Sequence, residues 1–150
     1  ELSDYVKAFG DRAPEFEPGA RFQYANYGMV LAGRIVEVVS GMNYYDYVRE
    51  KIFQPAGMKA SDSFWKTHKV AKLAPGYLGN GKRNQETLPM RGSAAGGGYS
   101  TVEDLTRFAE ALMNHKLLDK AHTDLVLTGK ETARGATKYA YGFMEGSVGG

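Results

Sequence analysis

The longest apolar run, Met29 to Val39, carries Met29, Val30, Leu31, Ala32, Ile35, Val36, Val38 and Val39 around most of a helical cylinder, broken by Arg34 and Glu37. A helix apolar on nearly every side belongs in the interior of its protein. The pattern predicts a helix capped by Asn26, running to about Val39 and stopped by Ser40-Gly41. Ahead of it, Ser3 is placed to cap a short helix over Asp4 to Phe9, and residues 10–23 read as loop with a Pro18-Gly19 turn. Behind it, Asn43 heads another helix, with Asp46 spaced to reach back to the cap. Tyr44, Val48 and Ile52 recur in steps of four on one face, and Pro55 and Gly57 close the helix.

Residues 58–92 lack a period, apart from Asn80-Gly81, which suggests a hairpin tip. Ser100-Thr101-Val102-Glu103 has the spacing of a capping box. It predicts a helix to about Asn114 that buries Leu105, Phe108, Ala109 and Leu112. Asp119 is placed to cap a short helix through Leu127, and the alternation over residues 139–145 predicts a strand. The fold class expected is mainly α, with one or two short strands or hairpins, in a single unit covering 1–150.

A chain of 150 residues with 43% hydrophobic and 12% aromatic content can bury a core. Its 19 basic and 17 acidic residues are too evenly balanced to suggest a nucleic-acid partner. Zero cysteines exclude disulfides, thiolate metal sites and a cysteine nucleophile. The Met29–Val39 run is too short and too interrupted to span a membrane. Both ends read as cut: Glu1 opens directly on an amphipathic segment, and the strand pattern runs out at Gly149-Gly150.

The candidate chemistry lies at the entrance to the apolar helix, where Tyr24 and Asn26 stand two positions apart after the Pro-Gly turn. A phenol and a carboxamide held together can move a proton and orient a carbonyl. The pair alone is a short pattern, and Asn26 has a sufficient structural task as a helix cap.

The surrounding order adds more. Phe16-x-Pro18-Gly19-x-x-Phe22-x-Tyr24-x-Asn26-Tyr27-Gly28 leads into the apolar helix, followed by Tyr44-Tyr45-Asp46-Tyr47-Val48 and Ile52-Phe53-Gln54-Pro55-Ala56-Gly57-Met58. Later come Ala94-Ala95-Gly96-Gly97-Gly98-Tyr99-Ser100-Thr101-x-x-Asp104-Leu105 and Tyr141-Gly142-Phe143. In this order the chain resembles the serine hydrolases of the class C β-lactamase and penicillin-binding-protein type. D-Ala-D-Ala carboxypeptidases, D-aminopeptidases and lactamase-like esterases belong to the same superfamily.

The resemblance implies an α+β parent, of which this chain is the helical subdomain of a β-lactamase-like domain. It implies acyl transfer from an amide or ester small-molecule substrate through an acyl-enzyme, with no metal or organic cofactor. Tyr24 is cast as the proton relay and Asn26 as the substrate-orienting amide. A phenol of ordinary pKa, about 10, is a poor base at neutral pH, and neighbouring lysine cations would favour its phenolate.

The family's other two motifs are a Ser-x-x-Lys pair upstream and a late Lys-Thr-Gly or His-x-Gly strand. Neither is found in its place. Ser63-Phe64-Trp65-Lys66 matches Ser-x-x-Lys as letters but lies downstream of Tyr24, in a polar stretch. The segments after His68, His115 and His122 lack the required glycine, and Thr128-Gly129-Lys130 has the letters of the strand motif in the wrong order. The 150 residues alone are therefore expected to be inactive, and to self-associate through apolar surface left uncovered. Two rivals stand beside this reading: a non-catalytic binding or regulatory protein on the same fold, and an unrelated helical interaction domain. The glycines at 96–98 carry no phosphate-loop spacing and read as a close approach of backbone to its neighbours.

Overall fold

The computed structural model describes residues 1–146. The helices run in the order α1 (Leu2–Phe9), α2 (Asn26–Ser40), α3 (Tyr44–Val48), a π turn (Arg49–Phe53), α4 (Gln54–Ala56), α5 (Val102–Met113) and α6 (Lys120–Leu127). Three strands, β1 (Glu131–Arg134), β2 (Thr137–Tyr139) and β3 (Met144–Glu145), form an antiparallel sheet in the order β1-β2-β3. The expected mainly helical unit with a small sheet is the one observed. The closing Gly149-Gly150 of the sequence reading lies outside the described residues.

The centre of the packing is Gly33, in the middle of α2. A Cβ at this position would come 2.6 Å from the Ala94 Cβ and 3.0 Å from Leu2 Cδ1, with Tyr44 Cδ2 at 3.4 Å. Glycine costs a helix interior about 1 kcal/mol relative to alanine. Here it lets α1, α3 and the 94 loop close on α2, and Leu2 is buried there at 1% exposure. The opposite flank of α2 departs from the expectation of all-round burial: Ile35 is 62% exposed, Val38 67% and Val39 82%. Glu37, expected as a break in the apolar surface, is buried, accepting from Arg34 Nη1 at 2.9 Å and from the Tyr44 N–H at 3.0 Å. It thus ties α2 to the first turn of α3.

Several element ends differ from the sequence expectation by a residue or two. α1 begins at Leu2 with Glu1 at its cap position, not Ser3, and Asp4 accepts from the Glu1 nitrogen at 2.9 Å. Asn43 does cap α3, but Asp46 turns to Arg49 instead of back to the cap. Pro55 sits inside the last helical turn, preceded by the wider π register that tolerates its missing N–H, and Gly57 in the left-handed region ends the run. Asp119 heads α6 as expected, accepting from the His122 N–H at 2.8 Å. Asn80-Gly81 is a hairpin tip, flanked by the Tyr77–Arg83 bridge.

The expected strand over 139–145 is split. Tyr139 ends β2, a turn follows with Gly142 at φ +86°, and β3 is only Met144–Glu145. Gly142 supplies the left-handed turn that an alternating pattern conceals.

At the start of α5 the cap is Thr101, not Ser100, and its hydroxyl accepts from the Asp104 N–H at 3.2 Å. Asp104 itself points inward and is fully buried. Its Oδ2 accepts from the Ala60 N–H at 2.6 Å and the Ser61 hydroxyl at 2.8 Å. Its Oδ1 accepts from the Lys59 N–H at 3.2 Å and Arg107 Nη1 at 2.7 Å. Burial pushes a carboxyl upward, but the donors at Ala60, Ser61, Lys59 and Arg107 prevail and hold this one down at about 2. This carboxylate clamps α5 to the chain that leaves α4. Leu105 and Ala109, expected on the buried face, are exposed, and the buried positions are Asp104, Ala111 and Leu112.

Candidate functional site

The segment that presents Tyr24 is fixed on both sides. Gly19 at φ +80° makes the turn that the Pro18-Gly19 pair foretells. Phe22 packs on Tyr139 of β2 at 5.4 Å between ring centroids, and Tyr27 meets Phe9 of α1 edge-on at 6.0 Å. Between these anchors Tyr24 turns outward, 66% exposed. Its hydroxyl donates to Asn26 Oδ1 at 2.9 Å.

Asn26 is the first residue of α2 and not its cap: the cap position is Ala25, in extended conformation, with no side-chain hydrogen bond. The structural task that would have accounted for Asn26 is therefore absent, and its carboxamide oxygen is turned to Tyr24. The two candidate residues named from sequence are side by side and open to solvent. The Phe22–Tyr139 contact also brings the small sheet against this arm.

The Ser63-x-x-Lys66 string does not converge. Ser63 lines a cavity of about 350 Å³ between the helices. Lys66 lines a separate cavity of about 650 Å³, and its Nζ donates to the Glu86 carbonyl at 3.2 Å. The histidines are dispersed as well: His122 meets Asp119 at the α6 cap and His115 meets Thr123. Among the described residues no group of three or more His, Cys, Asp or Glu is placed to hold a metal ion. Nor, among them, is any helix long and apolar enough to cross a membrane. Of the glycines at 96–98, Gly97 and Gly98 make the close approach expected from the sequence, whereas Gly96, at φ +125°, has nothing within 4 Å of its Cβ position. A Cβ on Gly92 would collide with the backbone of Gly97, and one on Gly98 would lie 3.1 Å from the Asp62 carbonyl.

One feature of the larger cavity escaped the sequence reading. Lys66, His68, Lys69 and Arg83 all line it. They are scattered over eighteen positions at no regular spacing, and only the excess of positive charge across 66–83 would have pointed to them.

A helical unit with a small antiparallel sheet, presenting a Tyr-x-Asn pair at a helix entrance, is the helical subdomain of the β-lactamase fold. The Beta-lactamase family model matches residues 2–150, and the chain belongs to that family of serine acyl hydrolases. The penicillin-binding protein of Bacillus halodurans superposes with a TM-score of 0.89 at 38% identity, over 96% of this chain and 46% of that one. The octameric penicillin-binding protein homologue of Pyrococcus abyssi superposes with a TM-score of 0.76 at 28% identity, over 95% of this chain and 34% of that one. The human mitochondrial serine beta-lactamase-like protein LACTB is 34% identical over 102 residues, which are 65% of this chain and 18% of that protein. The chain thus spans less than half the length of each of these relatives.

Proposed function

We propose that this chain is the helical arm of a serine-dependent acyl hydrolase acting on amides or esters of the β-lactam, D-Ala-peptide or carboxylic-ester classes. The observation that carries the reading is the Tyr24–Asn26 hydrogen bond of 2.9 Å, made by two exposed side chains at a helix start that neither of them caps. In the full-length protein a serine Oγ attacks the substrate carbonyl while its proton passes to Tyr24 Oη, which acts as the relay. The C–N or C–O bond then breaks, and the same proton goes to the leaving amine or alcohol. Water attacks the acyl-serine in the second half, again giving its proton to Tyr24, which returns it to the serine. Asn26 donates from its amide nitrogen to the substrate and so orients it.

The nucleophile belongs to a part of the protein outside these 150 residues, so the chain alone is expected to have no turnover. The check is incubation with a chromogenic cephalosporin, a p-nitrophenyl ester and a fluorescent penicillin. Hydrolysis or covalent labelling above a Tyr24→Phe control would refute it, and loss of that activity in Ser63→Ala would point to Ser63 as the nucleophile.

The chain alone is also expected to self-associate. Leu31, Ile35, Val38 and Val39 make one apolar stripe on the exposed flank of α2, of the kind a larger protein covers. Sedimentation at increasing concentration should show species larger than a monomer, reduced in Ile35→Lys/Val39→Lys. A strictly monomeric chain at high concentration would contradict this.

A further inference from the structure

Between residues 64 and 92 the chain carries six lysines and arginines against a single acid, Glu86, although its overall charge is only +2. The structure gathers part of this excess around one cavity of about 650 Å³, a size that suits a small organic molecule. Lys66, His68, Lys69 and Arg83 line it, and no carboxylate side chain is among its lining residues. Lys66 is the most enclosed of them, with its side chain 19% exposed. Its nearest acid, Glu86 at 3.7 Å, is 94% exposed and stands in solvent. Among the described residues neither Lys69 nor Arg83 forms an ion pair.

Apart from the neutral amides of Asn84 and Gln85, the rest of the wall is mostly apolar or bare. Phe64, Leu73, Leu88 and Tyr99 supply hydrocarbon and aromatic surface. Gly92, Gly97 and Gly98 bring backbone to the wall where a side chain would collide. Lys66, Lys69 and Arg83, with solvent-exposed Glu86 as the one acid near Lys66, repel one another and focus a positive potential into the cavity. An anion entering it relieves that repulsion, and an apolar body gains the transfer free energy of the walls.

The geometry points to a binding site, lined by neither Tyr24 nor Asn26, for a small amphipathic carboxylate: one acid group on a compact aromatic or branched body. A bare inorganic anion would leave the apolar walls unfilled. A helix N-terminus of the kind that cradles phosphate is not part of the lining.

The test is calorimetric titration of the full-length protein with 3-phenylpropionate, its neutral amide and inorganic phosphate, and it needs no turnover. Saturable binding of the acid is expected, with the amide weaker by roughly tenfold or more and the acid's affinity falling as salt is raised. Lys69→Gln/Arg83→Gln changes only exposed side chains, so it should fold normally by circular dichroism. It should weaken the acid at least tenfold, about 1.4 kcal/mol, while ester turnover by the full-length protein is unchanged. Equal affinity for acid and amide, an unaltered acid affinity in the double variant, or displacement of the acid by an equal concentration of phosphate would each overturn the proposal. Because the readout is binding heat, its failure is distinct from failure of the acyl-transfer reading.

Discussion

Replacing Asp104 with alanine should lower the melting temperature by roughly 10 °C, the largest stability effect expected of any single exposed or buried polar position here. The loss is not that of one bond. Four donors, the Lys59 and Ala60 N–H groups, the Ser61 hydroxyl and the Arg107 guanidinium, converge on a buried carboxylate. Removing it takes the acceptor from the Lys59 and Ala60 N–H groups and a partner from Arg107, while Ser61 keeps only Ser100. Asp104→Asn should be nearly as damaging, because the amide nitrogen must then point at a donor whichever way it is turned.

The same site fixes a pH dependence. Its folded pKa lies at about 2, against an ordinary 3.8, so between these values the unfolded chain binds the proton more readily than the folded one. Stability from this group is therefore complete above about pH 4–5 and lost as the pH falls towards 2. Thermal melts from pH 6 down to 2 should show the gap between wild type and Asp104→Asn narrowing across that window. A gap that is small at pH 6, or constant throughout, would count against the clamp.

The positions at which the sequence misled have local physical causes. Ser100 and Thr101 are both good caps, and the letters favour Ser100 with Glu103. The buried clamp decides otherwise, because Asp104 must face Lys59–Ser61, which makes Thr101 the cap and leaves the Ser100 hydroxyl to pair with Ser61 at 2.7 Å. The burial of Glu37 was equally hidden, since its purpose depends on the Tyr44 N–H seven residues on. The outward flank of α2 read as core because its composition suits a covered helix, and among the described residues nothing covers Ile35, Val38 and Val39. What was legible rested on local signals: the Gly41 and Gly57 stops, the Asn43 and Asp119 caps, the Asn80-Gly81 tip and the Pro18-Gly19 turn. The Tyr24-x-Asn26 pair was legible as letters. Its geometry was not, since the choice between a cap and a partner for Asn26 is settled by backbone φ/ψ at Ala25.

In the full-length protein, Tyr24→Phe should reduce kcat for acyl transfer by 10²–10⁴-fold, the usual contribution of a positioned proton-transfer group, with little change in KM. Phenylalanine keeps the ring and removes only the oxygen. The exposed setting of Tyr24 leaves little fold stability at stake, since its sole hydrogen bond among the described residues is the one to Asn26. The melting temperature should accordingly stay within a degree or two of wild type, in contrast to Asp104→Ala. That separation of stability from rate distinguishes a proton relay from a structural aromatic. Asn26→Ala should differ in kind: it removes the acceptor of the Tyr24 hydroxyl and, on the proposed reading, the amide that orients the substrate, so kcat should fall and KM rise together. The double variant should lose less than the product of the two single losses, because both substitutions disable the same hydrogen-bonded unit. Near-wild-type turnover in Tyr24→Phe would remove the phenol from the chemistry. Near-wild-type KM in Asn26→Ala would confine the carboxamide to holding Tyr24.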